Sequence, residues 1–294
     1  NKLNLATVRT LQERYVEALQ GYAEARAIFE ALGEPLTVAT SWHQIGMVHR
    51  QTKQFEQAEQ AYRNSLAINV NQKELNGEAD NLVELGTLYH VMGRLEEAII
   101  FYQKAAEIYT KLSNLSREGS TRNNLAATLI ELQRYDEARR ELQRAIECNK
   151  NFGHAAKPWK AWGLLYELEQ AVGSHEAADR ARRQAIESYV AYRRAGGEPQ
   201  NLGGRLAALI FQAMQQGQMS DAEQGLVGVL QQVDEPSTRV VITKLQAILY
   251  GDRNPALAED PALEFDDAVE LMLLLEALES IEQAGDQGSA SGAE

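Results

Sequence analysis

Along the first two-thirds of the chain, apolar positions recur every three or four residues. That is the period of an amphipathic helix, not the two-residue alternation of a strand. Trp42, Ile45, Gly46 and His49 share one such face, and Ala58, Tyr62, Ser65, Leu66 and Ile68 share the next. Between them Gln51-Thr52-Lys53-Gln54 is polar and has the length of a turn between antiparallel helices. The pattern predicts a helical hairpin. Gly46, Ala58 and Ser65 lack bulk, so the two axes can approach closely, with Trp42 and Tyr62 filling the space around the contact.

The hairpin returns every 40 residues. Gln54-Phe55-Glu56-Gln57-Ala58 matches Arg94-Leu95-Glu96-Glu97-Ala98 and Arg134-Tyr135-Asp136-Glu137-Ala138. Arg14-Tyr15-Val16-Glu17-Ala18 precedes them in register and Ser174-His175-Glu176-Ala177-Ala178 follows. Ile45-Gly46, Leu85-Gly86 and Leu125-Ala126 align with Leu5-Ala6, and Phe29 with Tyr109 and Tyr189. One hairpin cannot bury its apolar faces alone, so such units stack into a continuous core. In the fifth unit Tyr166 falls where a small residue is expected, which predicts a shifted register in its first helix. All six prolines lie between helical stretches, and the class is all-α.

Beyond Gly196-Gly197-Glu198-Pro199 the same period predicts helices near 201–216, 220–233, 237–250 and 263–283, with Ser220 and Ser237 as N-caps. The expected organisation is a repeat array over 1–195, a C-terminal helical cap over 196–283 that covers the last apolar face, and a disordered tail over 284–294.

Charge changes this picture only at the end. The net charge is −13, yet no Lys or Arg follows Arg253, while eleven acids do. Removing those eleven from the total of 42 acids leaves 31 against 29 bases, so residues 1–253 are nearly neutral. Neither part has the basic excess that attracts nucleic acid or an anionic membrane. The acidic last helix has a second reading, as a docking element for a basic partner. With one cysteine and no apolar run long enough to span a bilayer, a cytoplasmic setting is expected. Starting at Asn1 without methionine, the sequence reads as a piece of a longer chain.

Little in the sequence points to catalysis, metal or cofactor. The glycines of 196–204 lack the Gly-Lys-Ser/Thr ending of a phosphate-binding loop and read as a hinge. The histidines (His43, His49, His90, His154 and His175) are not spaced by three or four, as ligands on one helix face would be. Cys148 aligns with Ile28, Ile68 and Ile108 and reads as a buried hydrophobe. Arg134, Arg139, Arg140 and Arg144 alternate with Asp136, Glu137 and Glu141 and read as local pairs on a solvated face.

The order Trp42, Ile45-Gly46, Ala58, Tyr62, Ser65 resembles the tetratricopeptide repeat, in the longer variant found in kinesin light chains and in the sensor arms of bacterial multidomain signalling ATPases. The helix-ending proline of that family is absent, with Val70 and Thr110 near its place. The resemblance implies a right-handed superhelical array of antiparallel helix pairs whose concave groove binds a peptide or protein. It places Thr40, His43, Met47 and Arg50, then Asp80, Val83, Thr87 and His90, then Ser120, Asn123, Ala127 and Ile130 on that groove, with the Asn124 amide beside Asn123. The Lys/Asn/Arg clamp with which some relatives grip a terminal carboxylate is missing. Two functions follow: a peptide-binding scaffold, or the ligand-sensing or oligomerisation arm of a larger signal-transducing ATPase with upstream domains.

Overall fold

The second helix of each pair begins at Tyr15, Phe55, Leu95, Tyr135 and His175, in the 40-residue step of the sequence. The computed structural model describes residues 2–290. Its helices are α1 (Lys2–Leu11), α2 (Tyr15–Leu32), α3 (Pro35–Gln51), α4 (Phe55–Gln72), α5 (Leu75–Val91), α6 (Leu95–Lys111), α7 (Leu115–Glu131) and α8 (Tyr135–Asn149). A 3-10 segment (Lys150–Ala156) leads into α9 (Trp159–Ala171) and α10 (His175–Arg194). The described residues contain no strand.

The period is built into the backbone of the turns. Glu13, Lys53, Gly93, Gln133 and Gly173, and likewise Gly33, Lys73 and Ser113, all have φ between 54° and 74°. At each of these left-handed residues the following N–H returns to a carbonyl five residues earlier. Gln54 donates to His49, Arg94 to Tyr89 and Arg134 to Leu129, each at 2.8 Å, and Glu74 donates to Asn69 at 2.9 Å. This cap closes a helix without a proline, which is why Val70 and Thr110 can stand where the family's proline is expected. Five of the eight positions carry a β-carbon and accept the associated strain.

Inside the pairs, small residues set the spacing. Ala18, Ala58, Ala98, Ala138 and Ala178 are fully buried, as are Tyr22 and Tyr62, with Tyr102 close to it. The Ser65 hydroxyl, also buried, donates 2.8 Å to the Ala39 carbonyl across its pair.

The described residues divide into two compact units, 2–156 with 167–174, and 157–166 with 175–290. The boundary expected at 195–196 therefore falls inside the fifth pair. The cause is aromatic: Trp159 packs on Tyr189 and Tyr192 at 5.3 and 4.5 Å between ring centres, and Phe265 meets the Tyr189 ring edge-on. The small residue of α9 is Gly163, three positions before the repeat register, and a β-carbon there would come 2.8 Å from the Phe265 ring.

The second unit continues with α11 (Leu202–Gln216), α12 (Met219–Gln232), α13 (Pro236–Leu249) and α14 (Phe265–Ala290), around a core that includes Ile210, Ile242, Leu245, Ile248 and Leu271. Ser220 and Ser237 are not N-caps. Gln218 and Glu235 hold those places, because Met219 already starts α12 and Pro236 takes the first position of α13, where its fixed φ and missing N–H cost nothing. Helix α14 runs to Ala290, so residues 284–290, expected in a disordered tail, continue the helix; no proline follows Pro261 to stop it. Residues 291–294 lie outside the described residues.

The glycines at 203 and 204 are not a hinge either. They form the first turn of α11, where β-carbons would collide with the carboxyl groups of Asp267 and Glu270. Bare backbone there seats two buried acids of α14 against the turn that Asn201 caps through its 2.8 Å bond from the Gly204 N–H.

Candidate functional site

The first helices of the pairs touch one another directly, α1 with α3 and α5 with α7, besides packing on their own partners. Side chains join α3 to α5 and α5 to α7, so residues of the three helices form one face. His43 Nδ1 lies 3.1 Å from Asn81 Oδ1. Arg50 Nη2 stands 3.4 Å from Glu84 Oε2, and the Tyr62 hydroxyl donates to the same Glu84 oxygen at 3.2 Å. His90 Nε2 is 2.6 Å from Glu131 Oε1. Asp80 accepts from Arg117 at 2.6 Å and from the Tyr109 hydroxyl. Thr87 Oγ1 accepts from the Tyr102 hydroxyl at 3.1 Å and donates to the Val83 carbonyl.

The expected groove residues thus fall into two groups. His43, Arg50, Asp80, Thr87 and His90 are tied to neighbouring side chains. Met47, Val83, Ala127 and Ile130 are apolar and half-buried, and Asn124 is exposed. Asn123 is half-buried, and its buried Oδ1 has no hydrogen-bond partner. Thr40, His43 and Asp80 share a cleft of about 320 Å³ with Gln44, Asn69 and Asn81. Asn81 is almost fully buried and donates 2.7 Å to the Gly77 carbonyl, so the cleft's base is held in place.

Burial, and then the charge of Glu84, raises the Tyr62 hydroxyl well above its usual pKa, so it stays a donor. The face is consequently a fixed set of neutral amides, hydroxyls and paired charges. Such a surface can hydrogen-bond a peptide backbone and seat apolar side chains. Glu84, Asn81 and Glu131 were absent from the sequence-derived set. Glu84 could have been found, because Gln44, Glu84 and Asn124 recur at the 40-residue period one residue beyond the chosen positions.

Other candidates resolve structurally. Arg134 pairs locally with Glu137 at 2.7 Å, but Arg139 crosses to Glu169 at 2.7 Å and Arg144 to Glu118 at 2.8 Å. Glu118 is fully buried, bound also by Arg122, which reaches on to Glu141. The run on α8 is therefore partly a cross-helix lattice and not a purely local solvated face. Burial pushes the Cys148 thiol above its ordinary pKa. No group of three or more His, Cys, Asp or Glu is placed to hold a metal ion among the described residues. The side chain of His154 lies outside them. Among the described residues no helix is long and apolar enough to cross a membrane.

The tetratricopeptide repeat family model matches residues 1–69 and 77–151. Kinesin light chain-related protein 3 of Arabidopsis thaliana is 27% identical over 176 residues, which cover 55% of this chain and 27% of that protein. The chain thus spans about a quarter of the length of this curated relative. Among solved structures, BtubC of P. vanneervenii superposes with a TM-score of 0.58 at 17% identity, over 82% of this chain and 93% of that one. A signal-transduction ATPase with numerous domains and a tetratricopeptide repeat sensor, from Pyrococcus horikoshii, superposes with a TM-score of 0.59 at 16% identity. That match covers 97% of this chain and 43% of the other. At these identities the likeness to the solved structures is one of fold.

Proposed function

Over residues 1–69 and 77–151 this chain belongs to the tetratricopeptide repeat family, and on that footing we propose that it is a binding scaffold for a peptide or a protein segment. The ligand lies along the face of α3, α5 and α7. The observation that carries this reading is the set of half-buried apolar positions Met47, Val83, Ala127 and Ile130 on the first helices, among polar side chains that are tied from pair to pair. A peptide laid over these half-buried positions removes their remaining apolar surface from water, and neighbouring amides and hydroxyls can meet its backbone. The paired His43 and His90 hold the walls of this face, and no enzyme activity is assigned to it.

A second reading takes the chain as the sensing arm of a larger signalling ATPase. It is favoured by the superposition that covers 97% of this chain on the ATPase with a repeat sensor. Both readings place the ligand on the same face.

The test is selection of binding peptides from a displayed library against the immobilised chain. Affinity of a selected peptide should fall about tenfold in Asn123→Ala combined with His43→Ala, as expected for one to two lost hydrogen bonds. It should be unchanged in Gln60→Ala combined with Gln103→Ala on the exposed side of α4 and α6. The opposite pattern refutes the assignment.

A further inference from the structure

We propose that the acidic trough along α14 docks a basic amphipathic helix of a partner protein. The trough has a volume of about 450 Å³. One wall is α14, where Met272, Leu275, Glu276, Glu279 and Glu282 follow helical spacing; the other is Arg253, Pro255 and Ala258. Apolar groups floor one end and acids line the other. Glu276 and Glu282 each hold a surface arginine, Arg194 at 3.1 Å and Arg253 at 2.9 Å. Glu279 pairs with no cation among the described residues and accepts from the Gln283 amide at 3.1 Å.

Charge selects the occupant. Downstream of Arg253 the chain has eleven acids and no Lys or Arg, so α14 brings net negative charge to the trough, which Arg194 and Arg253 offset only in part. A second copy meeting the same face would set acids against acids, as a two-fold contact requires. A helix ridge along the floor offers a groove into which the ridges of another helix fit. Its apolar residues enter beside Met272 and its Lys or Arg residues, a turn or two further on, meet Glu279 and its neighbours.

The experiment uses the full chain and a fluorescent synthetic helix of leucine and lysine in amphipathic register, read by anisotropy, with its leucine-glutamate counterpart as control. The lysine helix should bind, weaken with salt, and lose about tenfold in affinity when Glu276, Glu279 and Glu282 are changed together to Gln. Met272→Gln should weaken binding with all acids intact. A variant that removes three exposed acids elsewhere, Glu13→Gln, Glu34→Gln and Glu56→Gln, should bind as the parent does. Equal losses in the two triple variants, binding of the glutamate helix, or hydrogen-exchange protection outside 253–282 would each overturn the proposal. Far-UV circular dichroism checks that each variant is folded.

Discussion

The ring of Tyr62 lies so close to Gly46 that a β-carbon at residue 46 would stand 2.6 Å from it. The same relationship recurs 40 residues on, between Tyr102 and Gly86, at 2.8 Å. Both tyrosines reach the candidate binding face through their hydroxyls, Tyr62 to Glu84 and Tyr102 to Thr87. Close helix approach and the layout of the face are therefore one design, since the tyrosine can span the pair only where the facing residue has no side chain.

Gly46→Ala should destabilise the array through an overpacking cost of about 1–3 kcal/mol, offset by the roughly 0.5–1 kcal/mol that alanine adds to a helix. Gly225→Ala, where a β-carbon meets nothing, should stabilise α12 by about 0.5–1 kcal/mol. Hydrogen exchange of α3 and α12 amides separates the two effects. Loss of stability at both sites would contradict the packing account.

Lys53 and Gln133 hold left-handed conformations for which glycine has no penalty. Replacing either with Gly should raise stability by up to about 1 kcal/mol, against 1–2 kcal/mol of strain and the entropy glycine adds to the unfolded chain. Urea titration of the single and double variants measures this, with additive gains expected for turns so far apart.

What was legible in the sequence follows from the same details. The 40-residue period was visible because Ala58, Ala98 and Ala138 admit no larger residue, and the helix starts followed from it. The turns were not fully legible, because Lys53 and Gln133 say nothing of φ while Gly93 does. The buried acids were hidden for another reason. Glu118 and Glu270 look like surface residues until tertiary structure brings Arg144 to the first and the Tyr189 hydroxyl to the second, at 2.6 Å. At the candidate face, the positions could be counted from Gly46 and Gly86, but which of them are already paired depends on neighbours such as Asn81 and Glu131.

The two units should respond oppositely to acid. Asp267 is almost fully buried, and its pKa is raised to about 7 by desolvation and then by Asp266, Glu264 and Glu270, against the Asn201 bond that lowers it. A raised carboxyl pKa means the folded state holds the proton more tightly. Its stabilising contribution is full below about pH 4 and is lost as pH rises through about 7, a swing of up to about 4 kcal/mol. Glu118 behaves in the reverse sense: burial raises its pKa, but bonds from Arg144 and Arg122 outweigh that and lower it. Its contribution is present above the ordinary glutamate range and fades as pH falls. Trp159 and Trp162 fluorescence should therefore report a second unit less stable in urea at pH 8 than at pH 5, and Asp267→Asn should flatten that slope.

Glu118→Ala should cost about 1–3 kcal/mol, because it takes from Arg122 and Arg144 the acceptor they share, while Arg122 keeps Glu141 and Arg144 can reach water. Hydrogen exchange in α7 and α8 locates the loss. A change under 1 kcal/mol would mean the arginines find other partners.

The face of the first helices is tested most directly by photo-cross-linking. Benzoylphenylalanine is placed singly at Met47, Val83 and Ala127, and in parallel at Gln60, Gln103 and Gln143 on the second helices, and each variant is irradiated with a peptide selected from the displayed library. The account predicts cross-links from the first three positions, abolished by unlabelled peptide, and none from the last three. Cross-links from Gln60, Gln103 or Gln143 with none from Met47, Val83 or Ala127 would contradict it.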